Sequence, residues 1–149
     1  MLAALYAVGV VLLAPISFEL FQVRVADILL PLSILFGLPA VVGLTLGTVV
    51  ANFASPFGVV DVIGGTAANF VASFLAWRIG TRHFLGSWIV AILVENLVVT
   101  FIVGTYLAYL IPLPLAVGWL GVFVGSVIAM NLAGYGLLQA LARRMKHAS

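Results

Sequence analysis

Cysteine is absent from the 149 residues, which removes disulfides, thiolate nucleophiles and thiolate metal sites from the available chemistry. Charge is scarce as well: four acidic and six basic residues make 7% of the chain, against about a quarter in ordinary soluble domains. Only two histidines occur, His83 and His147, and neither falls inside an expected helix. Without cysteine or a helical histidine, and with no pair of acids at a recognisable catalytic spacing, little general-base or metal chemistry is at hand. Ser73 and Ser126 have no intramembrane His or Lys in view to activate them. No Gly-x-x-x-x-Gly-Lys-Ser/Thr phosphate loop occurs, so this chain hydrolyses no ATP. An enzyme is therefore not expected, nor a cofactor, a metal or a nucleic-acid partner.

What fills the chain instead is hydrocarbon. With 65% hydrophobic residues, continuing to about Leu141, the expectation is an integral membrane protein rather than a secretory leader ahead of a soluble domain. The reading is all-α: a compact bundle of six transmembrane helices in one domain over residues 1–149, at about 2–16, 26–36, 39–53, 60–79, 84–110 and 115–141. Pro31, Gly37 and Pro39 split the second apolar run, Ser55-Pro56-Phe57-Gly58 makes a turn, Arg78 to His83 forms a short basic loop, and Ile111-Pro112-Leu113-Pro114 makes another turn. An even number of spans puts both termini on one side. The positive-inside tendency places Arg143, Arg144 and Lys146 with Arg78 and Arg82 in the cytoplasm, at the cell membrane.

Against this background the polar residues stand out, because an unpaired amide or carboxylate in an oily medium costs several kcal/mol. Asn52, Asp61 and Asn69 sit at or inside apolar segments. Asp61 opens a helix, where a carboxylate suits the dipole, and steps of four from it give Gly65, Asn69 and Ser73 along one face, the wall of a cavity or of a tight helix contact. Glu95-Asn96 lies near the centre of the fifth helix, about 17 Å from its start, and a carboxylate at that depth is a candidate functional group. Val99, Ile102, Tyr106 and Tyr109 follow Glu95 on the same face. In the sixth helix Gly121 and Gly125 are spaced for close packing, and Trp119, Phe123, Ser126 and Met130 share a face suited either to a flat ligand or to plain core. Arg24 and Asp27 are spaced to pair on one helical face, as a self-neutralised pair at the membrane surface or as a lid over a polar solute. Ala3 and Ala7 fall one turn apart and permit close approach of another helix. The sum is an outward-facing polar pocket closed below by basic loops, with a small-molecule solute as partner.

The order of these residues carries a resemblance. Gln22-Val-Arg24-Val-Ala-Asp27, Gly43-x-x-x-Gly47, Ala51-Asn52, Ser55-Pro56-Phe57-Gly58-Val-Val-Asp61 and Gly64-Gly65-Thr66-Ala67 resemble the queuosine-precursor transporter family, the QueT-type S-components of energy-coupling factor transporters. Asn96 and Gly125 match positions where that family also has Asn and Gly, and the Ala3-x-x-x-Ala7 pair resembles its docking contact in helix one. The resemblance implies a binding subunit that takes a 7-deazaguanine from the outer side. It also implies delivery through an energy-coupling module of one transmembrane subunit and two ATPases. On that footing Glu95 or Asp61 accepts the donor edge of the ring, Asn69 and Asn96 meet its carbonyl and ring nitrogens, and Arg24 with Asp27 closes the lid. The chain departs from the family where Asp27 replaces a usual Glu, where Gly64-Gly65-Thr66-Ala67-Ala68 replaces a stretch that usually ends Ala-Thr, and where Ser126 replaces a frequent Glu. These departures leave open a second expectation, an S-component for another vitamin or heterocycle, and a third, a scaffold with no solute.

Overall fold

The computed structural model describes residues 1–13, 25–82 and 84–147. Arg24 and its loop lie outside them, as does His83. Among the described residues every regular element is helical. The segments are α1 (Leu2–Leu12), α2 (Val25–Phe36), α3 (Leu38–Asn52), α4 (Val59–Gly80), α5 (Ser87–Leu110) and α6 (Leu115–His147). Three of these, α4, α5 and α6, are long and apolar enough to cross a membrane, whereas α1, α2 and α3 are shorter apolar helices.

The breaks have local causes. Pro31 lies inside α2, whose first stretch, Val25–Leu32, winds in the tighter 3-10 form, and Gly37 then turns the chain with φ 66°, a value L side chains resist. Pro39 sits in the first turn of α3, where its missing N–H leaves no bond unmade. Gly58 (φ 64°) starts α4 and Gly86 (φ 82°) starts α5, so α5 begins three residues later than the apolar run that opens at Phe84. The sixth helix runs on to His147 rather than stopping near 141, because nothing in Ala142 to Lys146 breaks a helix. It widens to a π-helix over Val127–Gly134. Gly136 lies on its exposed side with no atom near a substituted Cβ, so Gly136→Ala is expected to stabilise the protein by about 0.5–1 kcal/mol, read as a small rise in melting temperature.

Helices consecutive in the chain alternate in direction, while α1 and α3 pack side by side running the same way. One end gathers Met1, Phe36 and Pro39 around a groove, Gly80 and Arg82 beside Trp88, and Trp88 again beside Arg143 and Lys146. The five described basic side chains, Arg78, Arg82, Arg143, Arg144 and Lys146, are all exposed. The opposite end carries the α3–α4 and α5–α6 turns.

Polarity runs inside out. Ile63, Ile89, Leu93, Phe101, Leu120 and Leu132 are among the exposed apolar side chains, while Asp27, Thr48, Asn52, Asp61, Asn69, Ser73, Glu95, Asn96 and Ser126 are buried. A water-soluble protein with that arrangement would aggregate; a hydrocarbon surrounding makes it stable.

Small residues set the helix spacing. A Cβ at Gly47 would lie 2.7 Å from the Ala3 carbonyl oxygen, and one at Gly118 would lie 2.7 Å from that of Gly104, so α3 meets α1 and α6 meets α5 almost backbone to backbone. Gly104 and Gly118 thus bring α5 and α6 together, and Gly121 and Gly125 further along α6 are buried as well.

Candidate functional site

The face predicted for α4 is real: Asp61, Gly65, Asn69 and Ser73 are all buried. Its polar groups divide between two layers.

Nearer the turn end, Asp61 is fully buried in the first turn of α4. The Tyr106 hydroxyl of α5 donates to its carboxylate, and Asn52 Nδ2 of α3 donates to its backbone carbonyl at 2.7 Å. Gly64 makes room for this, since a Cβ there would come within 2.8 Å of the Tyr106 ring. Asn52 Oδ1 has no partner among the described residues.

Deeper in, four helices meet in one chain of hydrogen bonds. The Tyr6 hydroxyl of α1 donates to Asp27 Oδ1 of α2 at 2.5 Å, and Asn69 Nδ2 of α4 donates to Tyr6 at 2.7 Å and to Thr48 Oγ1 of α3 at 2.8 Å. Ser73 Oγ then donates to the Asn69 backbone carbonyl at 2.6 Å. Glu95 enters from α5, fully buried and within electrostatic reach of Asp27. Neither carboxylate oxygen of Glu95 has a hydrogen-bond partner among the described residues, and Asn69 Oδ1 has none either. A buried carboxylate without donors is among the costliest groups a fold can hold.

The remaining expected residues lie elsewhere. Asn96 faces α6, donating to Asn131 Oδ1 at 2.8 Å and accepting from Thr100 at 3.2 Å. Trp119 donates to Thr105 Oγ1 at 3.0 Å and stands edge-on to Phe101 with centroids 5.2 Å apart, a contact with α5 rather than with the acids. Tyr109 is 80% exposed and has left the Glu95 face. Ser126 is buried in α6. Ala7 is buried within the protein, so of the expected docking pair only Ala3 remains reachable, beside an apolar groove of about 380 Å³. That groove and four others, of about 180 to 580 Å³, indent the surface, and none is lined by Asn52, Asp61, Asn69, Glu95 or Asn96. The expected outward pocket is not among these five grooves of the described residues. Tyr6 and Tyr106 bridge the polar groups of neighbouring helices through their hydroxyls.

Sequence reasoning missed Tyr6, Thr48 and Asn131. Tyr6 carried a signal, a phenol between Ala3 and Ala7 in an otherwise aliphatic helix; Thr48 beside Gly47 carried only a faint one.

An apolar helical shell around buried acids and amides defines a membrane protein whose core is built for polar contacts. A family model described as QueT transporter matches residues 1–143, and the chain belongs to the QueT transporter family, a family of transporters and not of enzymes. No curated protein and no solved structure matches the chain.

Proposed function

We propose that the chain is the membrane-embedded substrate-binding subunit, the S-component, of an energy-coupling factor importer, and that it takes a queuosine precursor of the 7-deazaguanine type from the outer side. The observation that carries this reading is Glu95, a fully buried acid whose two carboxyl oxygens have no hydrogen-bond partner among the described residues. A guanine-like ring offers adjacent N–H and amino donors that a carboxylate accepts in bidentate fashion, and Asn69 Oδ1 and Asn52 Oδ1 add further acceptors. In this reading all six helical segments cross the cell membrane, with both termini and the exposed basic residues in the cytoplasm. Ligand enters from the turn end, by separation of the helices that Asp61, Tyr106 and Asn52 join. Asp27 backs the site from α2 by holding Tyr6, and Tyr106 flanks the entrance beside Asp61. Ala3 and its groove, at the basic end, are where the transmembrane subunit of the coupling module docks, with two ATPases beneath it.

Ser126, buried where the family often has Glu, favours a second reading within the same class: another vitamin or heterocycle. A pure scaffold accounts for the paired groups of Asp61 and Asn96 but leaves Glu95 unexplained. Mass spectrometry of small molecules co-purified in mild detergent, followed by calorimetry, tests the proposal. A 7-deazaguanine that binds wild type tightly supports it; a different heterocycle selects the second reading, and no bound solute under any condition selects the scaffold.

A further inference from the structure

We infer that Tyr6 and Thr48 are specificity-setting residues: they lock the Asn69 amide so that its carbonyl, and never its NH₂, faces the ligand. This deepens the proposed function and rests on its placement of the solute beside Asn69 and Glu95.

The lock follows from the protons available. A threonine hydroxyl carries one, and that of Thr48 goes to the Leu44 carbonyl at 2.9 Å, leaving its oxygen as an acceptor. The Tyr6 hydroxyl proton goes to Asp27 Oδ1 at 2.5 Å, with the same consequence. Both oxygens must therefore receive, and Asn69 Nδ2 supplies them at 2.7 and 2.8 Å. Turning the amide over would set its oxygen against two oxygens, unless both hydroxyls gave up their present acceptors. Asn69 Oδ1 is consequently held, buried and unpartnered, as an acceptor. Glu95 adds two more bare acceptor oxygens from α5. Among the side-chain amides, every unpartnered buried atom in the described residues is an acceptor oxygen, Asn52 Oδ1 and Asn69 Oδ1. A ligand meeting Asn69 must offer N–H or O–H there, because a lone pair at that place would leave two acceptors facing each other. Tyr6 and Thr48 touch no solute in this account; they act through Asn69.

The experiment has two arms, both on the full chain in detergent. In the first, protein labelled with ¹⁵N-asparagine is followed by NMR. The Asn69 side-chain NH₂ exchanges slowly with solvent in wild type and in Thr48→Ser, and fast when Thr48→Val is combined with Tyr6→Phe. In the second, calorimetry compares 7-aminomethyl-7-deazaguanine with three analogues, each lacking one ring or amino donor. Wild type loses roughly 10- to 100-fold in affinity for the analogue missing the donor that meets Asn69. In the double variant that penalty shrinks at least tenfold, and Thr48→Ser restores it. If the double variant does not fold, Thr48→Val alone carries the same expectation with at least a threefold shrinkage. The inference is overturned if all three penalties match those of wild type, or if the Asn69 NH₂ already exchanges fast in wild type. Should wild type bind no 7-deazaguanine at all, the proposed ligand class falls, and the exchange arm decides the lock by itself.

Discussion

Glu95→Leu is expected to lower ligand affinity by about a hundredfold or more while raising the melting temperature of the ligand-free protein. The two effects share one cause. Glu95 is fully buried, and its carboxylate oxygens find no donor among the described residues, so the fold bears an uncompensated polar group of the kind that costs about 1–3 kcal/mol even when neutral. Leucine removes that cost at similar volume, just as apolar replacements of buried ionic groups often stabilise. It also removes the two acceptors assigned to the ligand's donor edge, each a charge-assisted bond of about 1.5–3 kcal/mol. Glu95→Gln keeps the shape but presents an NH₂ in place of one oxygen, and is expected to bind far more weakly than wild type. Calorimetry and thermal melting in the same detergent check both. Unchanged affinity would remove Glu95 from the site, and a large drop in melting temperature for Glu95→Leu would make the acid a structural group.

The second large effect is expected at a residue that touches no solute. A Cβ at Gly47 would meet the Ala3 carbonyl oxygen at 2.7 Å and both Ala3 Cα and Tyr6 Cβ at 3.0 Å. Two of those atoms are helix backbone and cannot swing aside. Gly47→Val therefore pushes α1 off α3, at a cost of about 1–3 kcal/mol or more in packing. Because Tyr6 rides on α1, its bonds to Asp27 and Asn69 go with it, and binding falls alongside stability. Gly43→Ala is the control: its Cβ would sit 3.7 Å from Leu2 Cβ, an ordinary contact, so melting and binding stay near wild type. If Gly47→Val melts and binds like wild type, the α1–α3 crossing is not as tight as described.

These two residues show what the sequence made legible. Glu95 declared itself by chemistry, an acid in the middle of an apolar helix, and the α4 stripe of Asp61, Gly65, Asn69 and Ser73 declared itself by period; both are buried as expected. Helix breaks were readable at the positive-φ Gly37 and Gly58, but not at Gly86, where the expected helix began three residues early. Partners were not readable, because a hydrogen bond such as Asn69 to Tyr6 spans 63 positions and depends on helix rotation and depth. Trp119 illustrates the limit: spacing placed it on a face with Ser126, but only packing turns it to Thr105 and Phe101. Gly104 and Gly118 were overlooked for the same reason, since they lie on different helices and only the fold brings them together. The small-residue pair Ala3 and Ala7 was legible as a close-approach motif, yet α1 uses much of it against the protein's own α3.

The most direct test of the account is an experimental structure of the protein with 7-aminomethyl-7-deazaguanine bound. The ring is expected inside the helix packing, with its N–H edge on the Glu95 carboxylate and a further donor on Asn69 Oδ1. A ring resting in a surface groove, with the Glu95 oxygens still bare, would contradict it.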